Sequence, residues 1–169
     1  MSNQVYSNSQ TKYVADPSLA LYTPEADIPM VAFGEIFLPL LETPDGICQG
    51  LELIDTQSQV RNEFQCTERG IYSVLTSVAW ARNAAVDSTR DLWIELTKGA
   101  VSSRMGQNMI RMLDPTVSVS FDSLSMSAVL NLNVGDVFGI KCFTSEASTI
   151  LARITDPVNF SSIYIQRIQ

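Results

Sequence analysis

EFQCTERGIYSVLTSVAW, residues 63–80, is the stretch on which the fold turns. Beyond a polar turn ending in Gly70, Tyr72, Val74, Thr76, Val78 and Trp80 alternate with Ile71, Ser73, Leu75, Ser77 and Ala79. A period of two sends successive side chains to opposite faces, so the run is a long β-strand. Both of its faces are apolar enough to need cover, one from the chain's own core and one from a second surface.

The same texture continues on either side. From Met30 onward, short apolar segments recur at intervals of roughly 8–15 residues, each closed by Gly, Pro, Asn or Asp, as in an all-β sandwich or barrel. Strands are expected over 31–40, 50–54, 63–66, 71–82, 92–98, 109–113, 116–121, 126–132, 137–144, 150–154 and 160–168. In two of them the inward set is plain: Leu92, Ile94 and Leu96 opposite Trp93, Glu95 and Thr97, and Ala128, Leu130 and Leu132 opposite Asn131. Residues 101–111 lack both this alternation and turn signals, and a loop or brief helix is expected there. Gly135, in NVGD, is expected to turn a hairpin between its flanking strands.

Residues 1–29 differ in kind. They are rich in Ser, Asn, Gln and Thr, carry Pro17, Pro24 and Pro29, and show no periodicity, so an extended arm preceding a domain of residues 30–169 is expected. Tyr6, Tyr13, Leu21 and Tyr22 give that arm apolar points by which it would attach to a neighbouring protein.

Composition excludes several classes of function. The chain has 169 residues, 46% of them hydrophobic and 17% charged, which suits one globular domain able to bury a core without staples. No apolar stretch approaches the ~20 residues of a membrane-spanning helix, so no membrane insertion is expected. MSNQVYSNSQTK lacks the layout of a secretory signal, so the chain is expected to be mature, to act inside a cell, or to leave by assembly or lysis. Residues 1–60 hold eight acids against the single base Lys12 and thereby account for the whole net charge of −7. With no basic cluster, nucleic acid is excluded as a partner.

Histidine is absent, which removes Ser-His and Cys-His pairs, the usual general base and most zinc sites. The acids Asp87, Asp91, Asp114, Asp122, Asp136 and Asp156 fall in loops and turns, where Asp serves the backbone, and no EF-hand pattern accompanies them. No catalytic residue, cofactor or metal is therefore expected. Cys48, Cys66 and Cys142 form no CxxC pair and are expected as buried thiols. The sequon Asn159-Phe160-Ser161 is discounted because Phe160 opens an expected strand.

Phe64, Cys66, Gly70 and Tyr72, spaced F-x-C-x-x-x-G-x-Y, resemble the second-strand region of the globular-head domain of the complement and adiponectin type, a branch of the tumour-necrosis-factor-like jelly rolls. DLWIELTKGA (91–100), SAVLNLNVGDVFGIKCF (127–143) and VNFSSIYIQRI (158–168) are similar to that family's later strands, in the same order. Ser162 stands in place of the closing motif's glycine, Ile163 in place of its aromatic, and residues 1–29 in place of the collagen stalk that family members often carry. The resemblance implies a single jelly-roll sandwich of about ten antiparallel strands, assembled as a homotrimer. Tyr72, Val74, Phe160 and Tyr164 are then candidates for the trimer interface, with core packing the alternative for each.

The expected function is structural and recognitional: a trimeric head or knob joined through its arm to a larger assembly, such as the capsid, fibre or spike of a viral or phage particle. The alternative is a soluble, secreted, lectin-like or cytokine-like ligand that binds a glycan or receptor through its loops.

Overall fold

The structure, a computed structural model, describes residues 19–24, 26–42, 48–54, 63–82, 87–112, 121–152 and 160–169. All regular elements in these residues are strands: β1 (Leu19–Thr23), β2 (Ile28–Met30), β3 (Gly34–Phe37), β4 (Leu41–Glu42), β5 (Leu51–Ile54), β6 (Glu63–Cys66), β7 (Gly70–Arg82), β8 (Ser88–Lys98), β9 (Val101–Met112), β10 (Phe121–Leu132), β11 (Val137–Thr144), β12 (Ser148–Ile150) and β13 (Ser162–Arg167). They form two antiparallel sheets, and each is built on one strand whose second edge is divided between two short partners. In sheet A, β7 pairs β10 along one edge and β13 and then β12 along the other, with β1 and β4 beyond β13 and β2 beyond β12. In sheet B, β11 pairs β8 on one edge and β6 and β3 on the other, with β9 outside β8 and β5 outside β6.

The sheets meet face to face, and the period of two decides what lies between them. Tyr72, Val74, Val78 and Trp80 of β7, Ile163 and Ile165 of β13 and Leu130 and Leu132 of β10 face Leu92, Ile94 and Leu96 of β8 and Phe138, Ile140 and Cys142 of β11. Burying each large apolar side chain contributes about 1.5–3 kcal/mol, and Trp80, Tyr72, Phe64 and Phe138 are all fully buried. Phe64 and Phe138 stack at 5.0 Å, and Tyr22 meets Phe64 edge-on at 4.8 Å.

Three expectations are corrected here. Residues 101–112 are a strand, not a loop or helix, because the two-residue turn at Gly99 (φ 59°) and Ala100 folds β9 back onto the strongly patterned β8. Nearly every β9 side chain is exposed, so no inward alternation exists for the sequence to display. Gly135 does not close a hairpin, since β10 lies in sheet A and β11 in sheet B. In Asn133–Asp136 only the third residue has positive φ (Gly135, 89°), the signature of a type II turn, whose twist suits a corner better than a hairpin. Finally, a boundary at residue 29 cuts through the sandwich: β1 pairs β13 and β2 pairs β12. Residues 1–18 lie outside the described residues.

Tyr22 shows why β1 belongs to the fold. Its ring is fully buried, and its hydroxyl accepts the Cys48 N–H at 3.1 Å. Tyr22→Ala should lower unfolding stability in urea by about 3–5 kcal/mol. Tyr22→Phe, which only strands that amide, should lower it by about 1–3 kcal/mol. A loss below 1 kcal/mol for the alanine variant would return β1 to a dispensable arm.

Candidate assembly and recognition surfaces

Among the described residues, the outer face of sheet A carries no charge. Across four strands the register lines up Leu21, Tyr164, Leu75 and Ser127, and beside them Leu19, Gln166, Ser73 and Val129. Towards the other end follow Ser162, Ser77 and Ser125, the last two with their hydroxyls 3.0 Å apart. Leu75 is 50% exposed and Val129 64%, with Tyr164 exposed between its neighbours. The face is thus flat, built of small and apolar side chains, and free of the Lys, Glu and Asp that ordinarily keep sheet surfaces apart.

Of the residues proposed from sequence for an interface, Tyr164 stands on this face and Phe160 is half-buried just before β13. Tyr72 and Val74 are corrected: both point inward and are fully buried, so any contact made by β7 falls to Leu75 and its outward neighbours. The Tyr72 hydroxyl donates to the Glu68 carbonyl at 2.8 Å, and burial, with Cys66 beside it, pushes the phenol up to about 12. Of the arm candidates, Leu21 lies on the outer face, Tyr22 lies in the core, and Tyr6 and Tyr13 fall outside the described residues. Leu75 belongs to the second face of 71–80, which was expected to need cover, but was not itself singled out, and Val129 was missed because a single apolar residue among polar ones reads as a solvated face. The register that gathers them is set by pairing.

The open side of the sandwich is closed by side chains. Asn108 donates to the Ser125 carbonyl at 2.8 Å and Lys98 to that of Asn131 at 2.9 Å, so β9 and the end of β8 cap carbonyls on the edge of β10. A bulge at Gly106 (φ 58°) between the pairings of Trp93 and Ile94 swings β9 towards β10. On the outer face of sheet B, Trp93 is fully buried although it points outward, because the Arg104 guanidinium lies 4.1 Å above its ring. Glu35 ties Arg104 (3.8 Å) and Lys141 (3.9 Å) together over this spot. At one end of the molecule, where β2 in sheet A passes to β3 in sheet B, Val31 is 74% and Phe33 78% exposed.

Among the described residues no cluster of three or more His, Cys, Asp or Glu could hold a metal ion. The depression lined by Arg69, Gly70, Ile71, Asn131 and Gln169 contains neither an acid pair nor a nucleophile. Cys48, Cys66 and Cys142 are buried and form no disulfide. Burial pushes the thiols of Cys66 and Cys142 above the ordinary range, away from the reactive thiolate. The fully buried Arg90 donates to Thr144 and pairs with Glu146 at 3.4 Å, an internal tie between β8 and the loop after β11.

No family model and no curated protein matches the sequence. Solved structures do match the fold. Eiger TNF from S. frugiperda superposes with a TM-score of 0.66 at 12% identity, over 89% of this chain and 92% of that one. Murine APRIL superposes at 0.60 with 15% identity, over 88% and 98%. The fold is a tumour-necrosis-factor-like jelly roll. The narrower complement and adiponectin resemblance is not reproduced among these neighbours.

Two outcomes are expected of these sites. The folded protein should react with a thiol reagent at far below one equivalent, rising to three after denaturation. Glu146→Ala, which removes one charged partner of a buried guanidinium, should cost about 1.5–3 kcal/mol in urea unfolding.

Proposed function

We propose that the chain is a non-enzymatic recognition protein that works as a homotrimer and binds a protein receptor, in the manner of a cytokine-like ligand. The observation that carries this reading is the uncharged, partly apolar outer face of sheet A, with Leu75, Tyr164 and Val129 exposed. A threefold ring is heterologous, so each copy must offer two different patches. The outer face of sheet A supplies one, and the β9 edge, with Met105 and Met109 exposed, supplies the other.

The TNF and APRIL neighbours support the ligand alternative. Attachment to a viral particle has no comparable support in the fold, and placement outside the cell goes with the ligand reading.

Light scattering at micromolar concentration should give about three times the 18.6 kDa chain mass. Leu75→Arg places a cation in the proposed contact and should yield a folded monomer, weakening association by a hundredfold or more, roughly 3 kcal/mol. A wild-type monomer, or a Leu75→Arg variant that stays trimeric, would overturn the proposal.

A further inference from the structure

At one end of the sandwich the chain crosses from one sheet to the other through polar, buried residues. Thr144 closes β11 in sheet B, Ser148 opens β12 in sheet A, and Glu146 lies in the crossing between them. The ladder of β11 with β8 continues into that crossing. Thr144 pairs with Arg90, and beyond it the Ser145 N–H donates to the Thr89 carbonyl at 3.0 Å while the Thr89 N–H donates to the Ser145 hydroxyl at 2.8 Å. One step further along the same antiparallel course, Glu146 comes opposite Ser88. Arg90, Thr144 and Ser148 are fully buried, and Ser88 and Glu146 nearly so.

Within this cluster Arg90 donates to Thr144 Oγ1 and, at 3.4 Å, to Glu146 Oε1. The Thr144 hydroxyl donates to the Glu146 carbonyl at 2.7 Å, and the Ser148 hydroxyl reaches Thr144 at 3.5 Å. Ser88 Oγ and Glu146 Oε2 stand apart from this scheme: both are shut off from solvent, and neither has a hydrogen-bond partner among the described residues. A buried ion pair offsets its own desolvation only when the remaining lone pairs of the carboxylate are also satisfied. Two unpartnered oxygens on residues that the ladder sets opposite each other therefore call for one shared partner.

We propose that an ordered water is built into this joint, donating one hydrogen to Glu146 Oε2 and bonding through its second hydrogen or its oxygen to Ser88 Oγ. Charge decides the class of ligand. Arg90 and Glu146 already neutralise each other, so a cation would lie beside a guanidinium and an anion beside a carboxylate, and the partner that fits is neutral and able to donate. A serine, rather than a longer residue, beside Arg90 and opposite Glu146 leaves the room that a water requires. The water links β8 of sheet B to the segment that enters sheet A, so the layers are joined at this end through solvent held inside the protein, independently of how copies associate.

A crystal structure of the full chain, at a resolution that shows solvent and with parallel crystals soaked in rubidium bromide, tests this. Density is expected within about 2.6–3.0 Å of both Ser88 Oγ and Glu146 Oε2, with no anomalous signal from rubidium or bromide. In solution, oxygen-17 relaxation dispersion of Ser88→Val, which removes the hydroxyl and fills its surroundings, should count one long-lived water fewer than wild type. If that variant does not fold, the wild-type density decides alone. The proposal is overturned by the absence of such density, by a Ser88 hydroxyl bonded directly to Glu146 Oε2, by an anomalous peak that marks an ion, or by an unchanged count of long-lived waters in folded Ser88→Val.

Discussion

The register of β7 is the constraint on which the rest of the molecule depends. Its ladder serves β10 on one edge and β13 and β12 on the other, so three strands inherit their inward and outward sets from it. A slip of one residue would exchange Tyr72, Val74, Val78 and Trp80 for Ile71, Ser73, Leu75 and Ala79, putting the large side chains into solvent and leaving the core underfilled. The difference in volume between these two sets sets the register. It also makes the outer face flat, because the small members are the ones left outside.

The sandwich manages its edges by side chains more than by closure. β9 is exposed along most of its length, yet Asn108 and Lys98 reach across to the carbonyls of β10 and satisfy an edge that would otherwise invite another strand. Trp93, outward on β8, is taken from water by Arg104 rather than by a second layer of structure. Such cover contributes about 0.5–1 kcal/mol at an exposed site, far less than core burial, and it leaves the guanidinium on the surface. Sheet B thus presents mixed charge outside, and sheet A presents none across its four main strands. That asymmetry makes the two outer faces chemically different surfaces.

A jelly roll by itself assigns no activity, because the same sandwich carries many. Here the polar groups that are buried serve architecture: Arg90 with Thr144 and Glu146 joins β8 to the loop after β11, and the Tyr72 hydroxyl holds the carbonyl of Glu68. The thiols are shut in and histidine is missing. The surface is flat and uncharged on sheet A and protrudes at Phe33.

The sequence by itself determined the class of fold and much of its core. Alternation in 71–80, 92–97 and 126–132 is a local property of the chain, so the inward side chains of β7, β8 and β10 were legible before any pairing was known. The absence of histidine was legible for the same reason, since it is a matter of which residues exist. Tertiary structure alone decided which strands meet. β1 looked like part of an arm because its short run between prolines gains meaning only beside β13, and β9 looked like a loop because its strand character comes from pairing with β8. The outer face of sheet A was legible only in pieces: Leu21 and Tyr164 were singled out for separate roles, Leu75 and Val129 were not, and hydrogen bonding between strands brings these four, scattered over more than a hundred residues, side by side. Periodicity is written within a strand, whereas a surface is written across strands, and only the folded register joins the two.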